Sequence, residues 1–296
     1  MKRLLFLLLL ISQVAFGQEV YTYGNKAVTY SGKVLTVTPS AYCPEYQAVY
    51  DAYTTKPSDA VAAIDNTMVV GLVSDGVWVK LDVVWVYASH TNGAGEALIN
   101  WKLPGTYDAT AYNAPTFTAY EGFLGNGTTQ YIDCNWVPSV NGVNYTQNSA
   151  SMLIYVRTNV NTNTAHGTAE NADTKDLFFT PKQADGKAYI KTNDFTYISV
   201  SNADGSGMYI NTRTAAAVNK LYRNKIAIIN GTTASIGVPT HSPYCLAYNN
   251  DDVAAGFRAD QVSLYAFGAG LTQTDINNLT DRFEARMDAL SSGIIP

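Results

Sequence analysis

Few side chains in this 296-residue chain could carry chemistry. Its three histidines, His90, His166 and His241, fall in polar stretches that read as solvated loops. No two have the helical spacing of a zinc pair. No Gly-x-Ser-x-Gly elbow occurs, and Gly205-Ser-Gly207 reads as a turn. Cys43, Cys134 and Cys245 are too widely spaced for a zinc site, and their odd number leaves at least one thiol unpaired. Burial as small apolar residues and a single Cys134–Cys245 disulfide are both open readings. Residues suited to recognition are more numerous. Trp136, Tyr145, Tyr112 and Tyr248 lie in or beside Asn-rich turns, where an exposed ring stacks on a sugar and nearby amides bond its hydroxyls. Trp136, just before Pro138, either projects from the end of the fold or closes its core. Asn249, Asp251 and Asp252 offer the hard oxygens that calcium takes, although plain turn chemistry selects the same residues.

The elements that must position these residues sit in an unusual composition. Charged residues make up 15% of the chain, against roughly 25% in ordinary domains. Without Lys2 and Arg3 the balance is 17 basic against 24 acidic residues, a net charge near −7. No basic patch stands out, which argues against nucleic acid as a partner. Residues 1–17, MKRLLFLLLLISQVAFG, have the basic start, short apolar run and small-residue end of a secretory signal, with cleavage near Gly17-Gln18. An uncleaved anchor is the alternative, but the run is too short for an ordinary membrane span. The expected location is extracellular, either secreted or on a virion surface.

Residues 18–40 alternate as short strands. Tyr42, Tyr46, Tyr50 and Tyr53 then recur at spacings of four, four and three, one face of a helix that packs onto a sheet or, as the alternative, offers a sugar-stacking platform. A second helix is predicted to about Val73, then a buried strand over Leu81–Tyr87. From Thr116 the helical period disappears. Short strands separated by Gly/Asn/Asp turns continue to Phe267, the pattern of an antiparallel sandwich or jelly roll. Gly125-Asn-Gly127 reads as a hairpin break. The chain closes with a helix capped by Thr272 and Asp275, with a staple from Leu271 to Ile276 and an apolar face of Ile276, Leu279, Phe283 and Met287. The expected organisation is a small α+β unit over 18–110 followed by a jelly roll over 111–296 that folds by itself.

Residues 116–290 resemble the laminin-G-like/concanavalin-A-like jelly roll. Three pieces carry the likeness: Phe123-Leu-Gly-Asn-Gly-Thr-Thr-Gln-Tyr-Ile132; the strand–turn–strand over Lys220–Ile228, with Lys225 where glycine is usual; and Val262–Phe267 leading into Leu271–Ile276. The whole chain also resembles uncharacterised structural and fibre-type proteins of phages that infect Bacteroidota. What the resemblance implies is a mostly β scaffold that binds a cell-surface glycan or protein, with virion proteins or a homo-oligomer as partners in the phage setting and calcium as the cofactor some relatives hold at the loop rim. A secreted bacterial adhesion module is the competing reading. Glycoside hydrolases on this scaffold use Glu-x-Asp-x-x-Glu to set two carboxylates about 5–5.5 Å apart. None of the six glutamates here has that spacing, and Glu121 stands alone in its strand. No catalytic residue is therefore expected.

Overall fold

The computed structural model describes residues 42–170 and 175–296. The leader and the strands expected over 18–40 lie outside the described residues. The compact unit that contains the sandwich runs from Tyr42 to Pro296. Among the described residues, no helix is long and apolar enough to cross a membrane.

The fold is an antiparallel jelly-roll sandwich with helices on one side. Its strands are β1 (Leu81–Val86), β2 (Thr110–Tyr112), β3 (Thr116–Thr118), β4 (Gly122–Leu124), β5 (Tyr131–Asp133), β6 (Ala150–Val156), β7 (His166–Ala169), β8 (Asp176–Thr180), β9 (Lys187–Asp194), β10 (Ile198–Ser201), β11 (Gly207–Ala215), β12 (Val218–Arg223), β13 (Ile226–Gly231), β14 (Tyr244–Cys245), β15 (Tyr248–Asn250), β16 (Val253–Ala255) and β17 (Gln261–Gly268). The first sheet runs β13-β12-β11-β6-β17-β4-β3, with β1 also paired to β17. The second runs β10-β9-β8-β7-β14-β5-β2, with β15 parallel to β7 and paired to β16.

Strand alternation sorts the side chains into layers. On β6, Met152, Ile154 and Val156 point between the sheets, where they meet Ile132, Leu177, Phe179 and Ile190 of the second sheet. Leu153 and Tyr155 point the other way, into a separate core with the helices Pro44–Ala52, Asp59–Ser74 and Gln273–Ala289. Tyr46, Tyr53, Leu72, Ile276, Phe283 and Met287 fill that second core, so the tyrosine stripe is packing, as its spacing predicts. Ser58 caps the second of these helices by accepting the Val61 N–H. The last carries the predicted reciprocal capping box, Thr272 Oγ1 accepting from Asp275 N–H and Asp275 Oδ2 from Thr272 N–H.

Two expectations differ, and one open alternative is decided. The helices and strand before residue 110 are present, but no break in packing falls there. β17 pairs with β4 only at its start, through Gln261 and Val262, and β1 occupies the rest of that edge, from Leu264 to Gly268. Residues 42–110 therefore complete both the sheet and the helical layer. Gly125-Asn-Gly127 does not close a hairpin: β4 belongs to the first sheet and β5 to the second. Asn126 Oδ1 accepts the N–H groups of Thr128, Thr129 and Gln130, which turns the chain from one sheet to the other. The three cysteines are free thiols. Cys134 and Cys245 are fully buried, so the disulfide reading gives way to the packing one. The β12–β13 hairpin keeps its likeness despite Lys225. Asn224 and Lys225 take φ of 49° and 73°, the left-handed pair that a two-residue turn requires.

Candidate functional site

The two sheets present very different outer faces. The first is covered by helices. Among the described residues no helix covers the second, and its short strands turn Tyr112, Tyr131, Tyr244, Tyr248, Phe178 and Tyr189 to the outer face, because their neighbours Ile132, Cys245, Leu177, Phe179 and Ile190 point into the core. Tyr112 is exposed, Tyr131, Tyr189 and Tyr248 are half-buried, and Tyr244 and Phe178 are buried by the groups around them. Cross-strand register brings Tyr112 opposite Tyr131, and Thr110 opposite Asp133, which also faces Tyr244.

The rings form a ladder. Tyr112 and Tyr131 stack with centroids 4.7 Å apart and planes 4° from parallel. Tyr131 meets Tyr244 at 4.8 Å, and Phe257 lies 6.2 Å from Tyr131. Tyr112 ends the stack on the edge strand and is 41% exposed. The hydroxyls of Tyr112, Tyr131 and Tyr244 make no hydrogen bond with the described residues and are not sealed from solvent. Burial, followed by the charge of Asp133, raises the Tyr244 hydroxyl well above the ordinary phenol range. Burial and Tyr112 raise Tyr131 as well. Both hydroxyls are therefore neutral donors.

A second aromatic group continues across the sheet. Tyr248 packs against Phe178 at 5.2 Å, Phe178 against Tyr197 at 5.5 Å, and Tyr197 against Tyr189 at 5.9 Å. Lys191 lies 4.1 Å from the Tyr197 ring centre and donates to Asp176 Oδ2 at 2.5 Å, both charged groups being buried. Between the two groups lies Gly167, paired with both Tyr244 and Tyr248. At φ 123° a Cβ there would meet Leu177 O at 2.0 Å, so this position carries no side chain.

Of the four aromatic residues expected from sequence, the structure brings Tyr112 and Tyr248 to this face and takes two away. Trp136 is fully buried, its ring stacked on Phe267 at 5.4 Å and meeting Tyr145 edge-on at 5.7 Å. Tyr145 is also buried and donates its hydroxyl to Asn193 Oδ1 at 2.7 Å. Pro138 begins a one-turn helix over Pro138–Asn141 behind Trp136, and the indole closes the core rather than projecting from it.

The proposed calcium donors do not converge. Asn249 is buried and spends its amide N–H on Ser242 O at 2.9 Å. Asp251 and Asp252 occupy a tight turn with φ of 48° and 64° and face His241 at 3.9 and 3.8 Å. Among the described residues, no three His, Cys, Asp or Glu side chains gather around one point. Asp173, a further carboxylate beside Asp176 in sequence, lies outside the described residues.

His166 departs from its expected place. It lies on β7, fully buried, donating Nε2–H to Asp260 Oδ2 at 3.0 Å while Nδ1 accepts Leu246 N–H at 3.0 Å. Burial lowers its pKa, and the ring is neutral. Burial alone would raise the Asp260 carboxyl, but Arg258 and then His166 hold it below the usual range. Cys245 Sγ lies 3.9 Å from Nδ1, with its thiol pushed far up by burial. This Cys–His–Asp contact is sealed from solvent, and Nδ1 is already occupied.

No protein-family model matches the chain, and no curated protein matches it. Solved structures do. Trypanosoma rangeli sialidase in complex with sialic acid is similar at 10% identity and a TM-score of 0.51, over 75% of this chain and 39% of that one. Domain 4 of an extracellular arabinanase from Geobacillus stearothermophilus, in complex with arabinotriose, is similar at 12% identity and a TM-score of 0.42, over 68% of this chain and 98% of that one. The binding domain of botulinum neurotoxin serotype D is similar at 11% identity and a TM-score of 0.49, over 71% and 52%. The chain spans well under half the length of the sialidase. At such identity the sialidase likeness speaks for the β-sandwich fold alone.

Proposed function

We propose that this protein is a non-catalytic carbohydrate-binding module that takes its glycan across the open face of the second sheet. The observation that carries this reading is the Tyr112–Tyr131–Tyr244 ladder, a row of rings on the outer face of the second sheet that runs from exposed Tyr112 to buried Tyr244, with three hydroxyls that find no partner among the described residues. Tyrosine supplies a large rigid contact surface at low entropic cost, together with a polar tip that bonds a sugar hydroxyl. Aromatic rings gathered on an outer sheet face mark a surface for interaction. The sealed Cys245–His166–Asp260 contact supports a non-catalytic role, since no substrate reaches it. The leader-like first 17 residues support an extracellular setting, secreted or on a particle surface. Affinity electrophoresis against a panel of plant and microbial polysaccharides tests the reading. Retention of the protein by at least one of them, lost in Tyr131→Ala while the melting temperature holds, is expected. No retention by any of them would overturn it.

A further inference from the structure

Building on that reading, we infer that the ligand is a neutral glycan and that Asp133 is the residue that selects it. Asp133 stands on β5 in the same row as Thr110 and Tyr244, two residues from Tyr131 and on the same face. Its Oδ1 accepts Asn135 N–H at 2.8 Å and Ser242 Oγ–H at 2.5 Å. Oδ2 accepts no hydrogen bond from the described residues. One oxygen is pinned and the other is left without a partner among the described residues, on a half-buried side chain that shares its row with Tyr244 and its strand face with Tyr131. That arrangement accepts hydrogen bonds from neighbouring sugar hydroxyls, and a bond to an ionised acceptor is stronger than one to a neutral acceptor.

The same oxygen disfavours an acidic sugar. Asp252 adds its charge at Tyr244, and Asp251 lies next to it in the turn. The lysines of this face are committed, Lys191 to Asp176 at 2.5 Å and Lys187 to Asp185 at 3.7 Å. A uronate or sialate carboxylate laid along the ladder would meet carboxylates, and among the described residues the basic groups near it already face acids, Lys191 and Lys187 as above and His241 against Asp251 and Asp252. Like charges a few ångströms apart cost about a tenfold loss in affinity even when largely solvated.

The test uses the full chain in native gels and titration calorimetry, with laminarin, arabinan and galactomannan as neutral probes and polygalacturonate and polysialic acid as anionic ones. Retention by a neutral polymer and none by the anionic pair at low salt is expected. Asp133→Asn keeps the side chain's shape and should weaken neutral binding about tenfold at an unchanged melting temperature. The triple variant Asp133→Asn/Asp251→Asn/Asp252→Asn should gain affinity for polygalacturonate, which a merely structural role would not produce. Wild-type binding to an anionic polymer as tight as to any neutral one, or neutral binding untouched by Asp133→Asn, would overturn the inference and leave the carbohydrate reading standing. Failure of every polymer to bind the wild type would overturn both.

Discussion

The outer faces of the two sheets are built by the same alternation and reach opposite ends. On the first, Leu153, Tyr155, Met208, Ile210, Leu264 and Ala266 point outward into helices. Tyr155 keeps its hydroxyl there only by donating to Glu284 Oε2 at 2.6 Å and accepting Ile294 N–H at 2.9 Å. On the second, Tyr112, Tyr131 and Tyr244 point outward, from exposed Tyr112 through half-buried Tyr131 to buried Tyr244, with no partner for their hydroxyls among the described residues. A covered face is mostly aliphatic and satisfies most of its polar groups inside the protein, Tyr53 Oη and Trp101 Nε1 being exceptions among the described residues. A face that keeps polar tips without partners leaves them for water or for a ligand. The difference separates the residues that fold this chain from those that meet something else.

The largest effect should come from removing the cover. A chain beginning at residue 111 lacks β1 and two helices, which exposes the apolar face of the first sheet and an edge of β17. It should show no cooperative thermal unfolding by circular dichroism, and a sharp transition would break the one-unit account. Next come single residues of the two cores. Trp136→Ala and Phe283→Ala should each cost about 3–5 kcal/mol in urea titrations, by loss of buried ring surface and the cavity left behind. A cost near zero at Trp136 would return it to the surface.

A smaller effect concerns pH. The folded-state pKa of His166 is lowered, so below the ordinary histidine value of about 6.5 the unfolded chain takes up a proton that the folded chain refuses. Stability should fall as pH drops through that value, and His166→Gln should flatten the fall in urea midpoints between neutral and mildly acid pH. The smallest effect on stability should be at Tyr112. As an exposed edge-strand residue, Tyr112→Ala should change the unfolding free energy by less than about 1 kcal/mol while abolishing polysaccharide retention.

Legibility in the sequence followed the range of the interactions. The last helix was readable because its cap is three residues wide, Thr272 to Asp275, and its apolar face repeats within the helix. The tyrosines at 42, 46, 50 and 53 were readable as core for the same reason. The open face was harder. β2, β5 and β15 have three residues each and β14 only two, too few for alternation to show which neighbour points inward. Tyr112 and Tyr248 drew notice for their turns, but Tyr131 and Tyr244 join them only through cross-strand register. Trp136 shared the same local signs as Tyr112 and was taken into the core by Phe267, 131 positions away. His166 sits among polar neighbours in sequence and is buried by Asp260, 94 residues on.

The central claim is that ligand meets the uncovered sheet. Amide hydrogen exchange, measured on the full chain with and without a retaining polysaccharide, tests it most directly. Added protection is expected in the segments spanning β2, β5 and β14, and none in the helices over 44–52, 59–74 and 273–289. Protection on the helical side, with the open sheet unchanged, would contradict it.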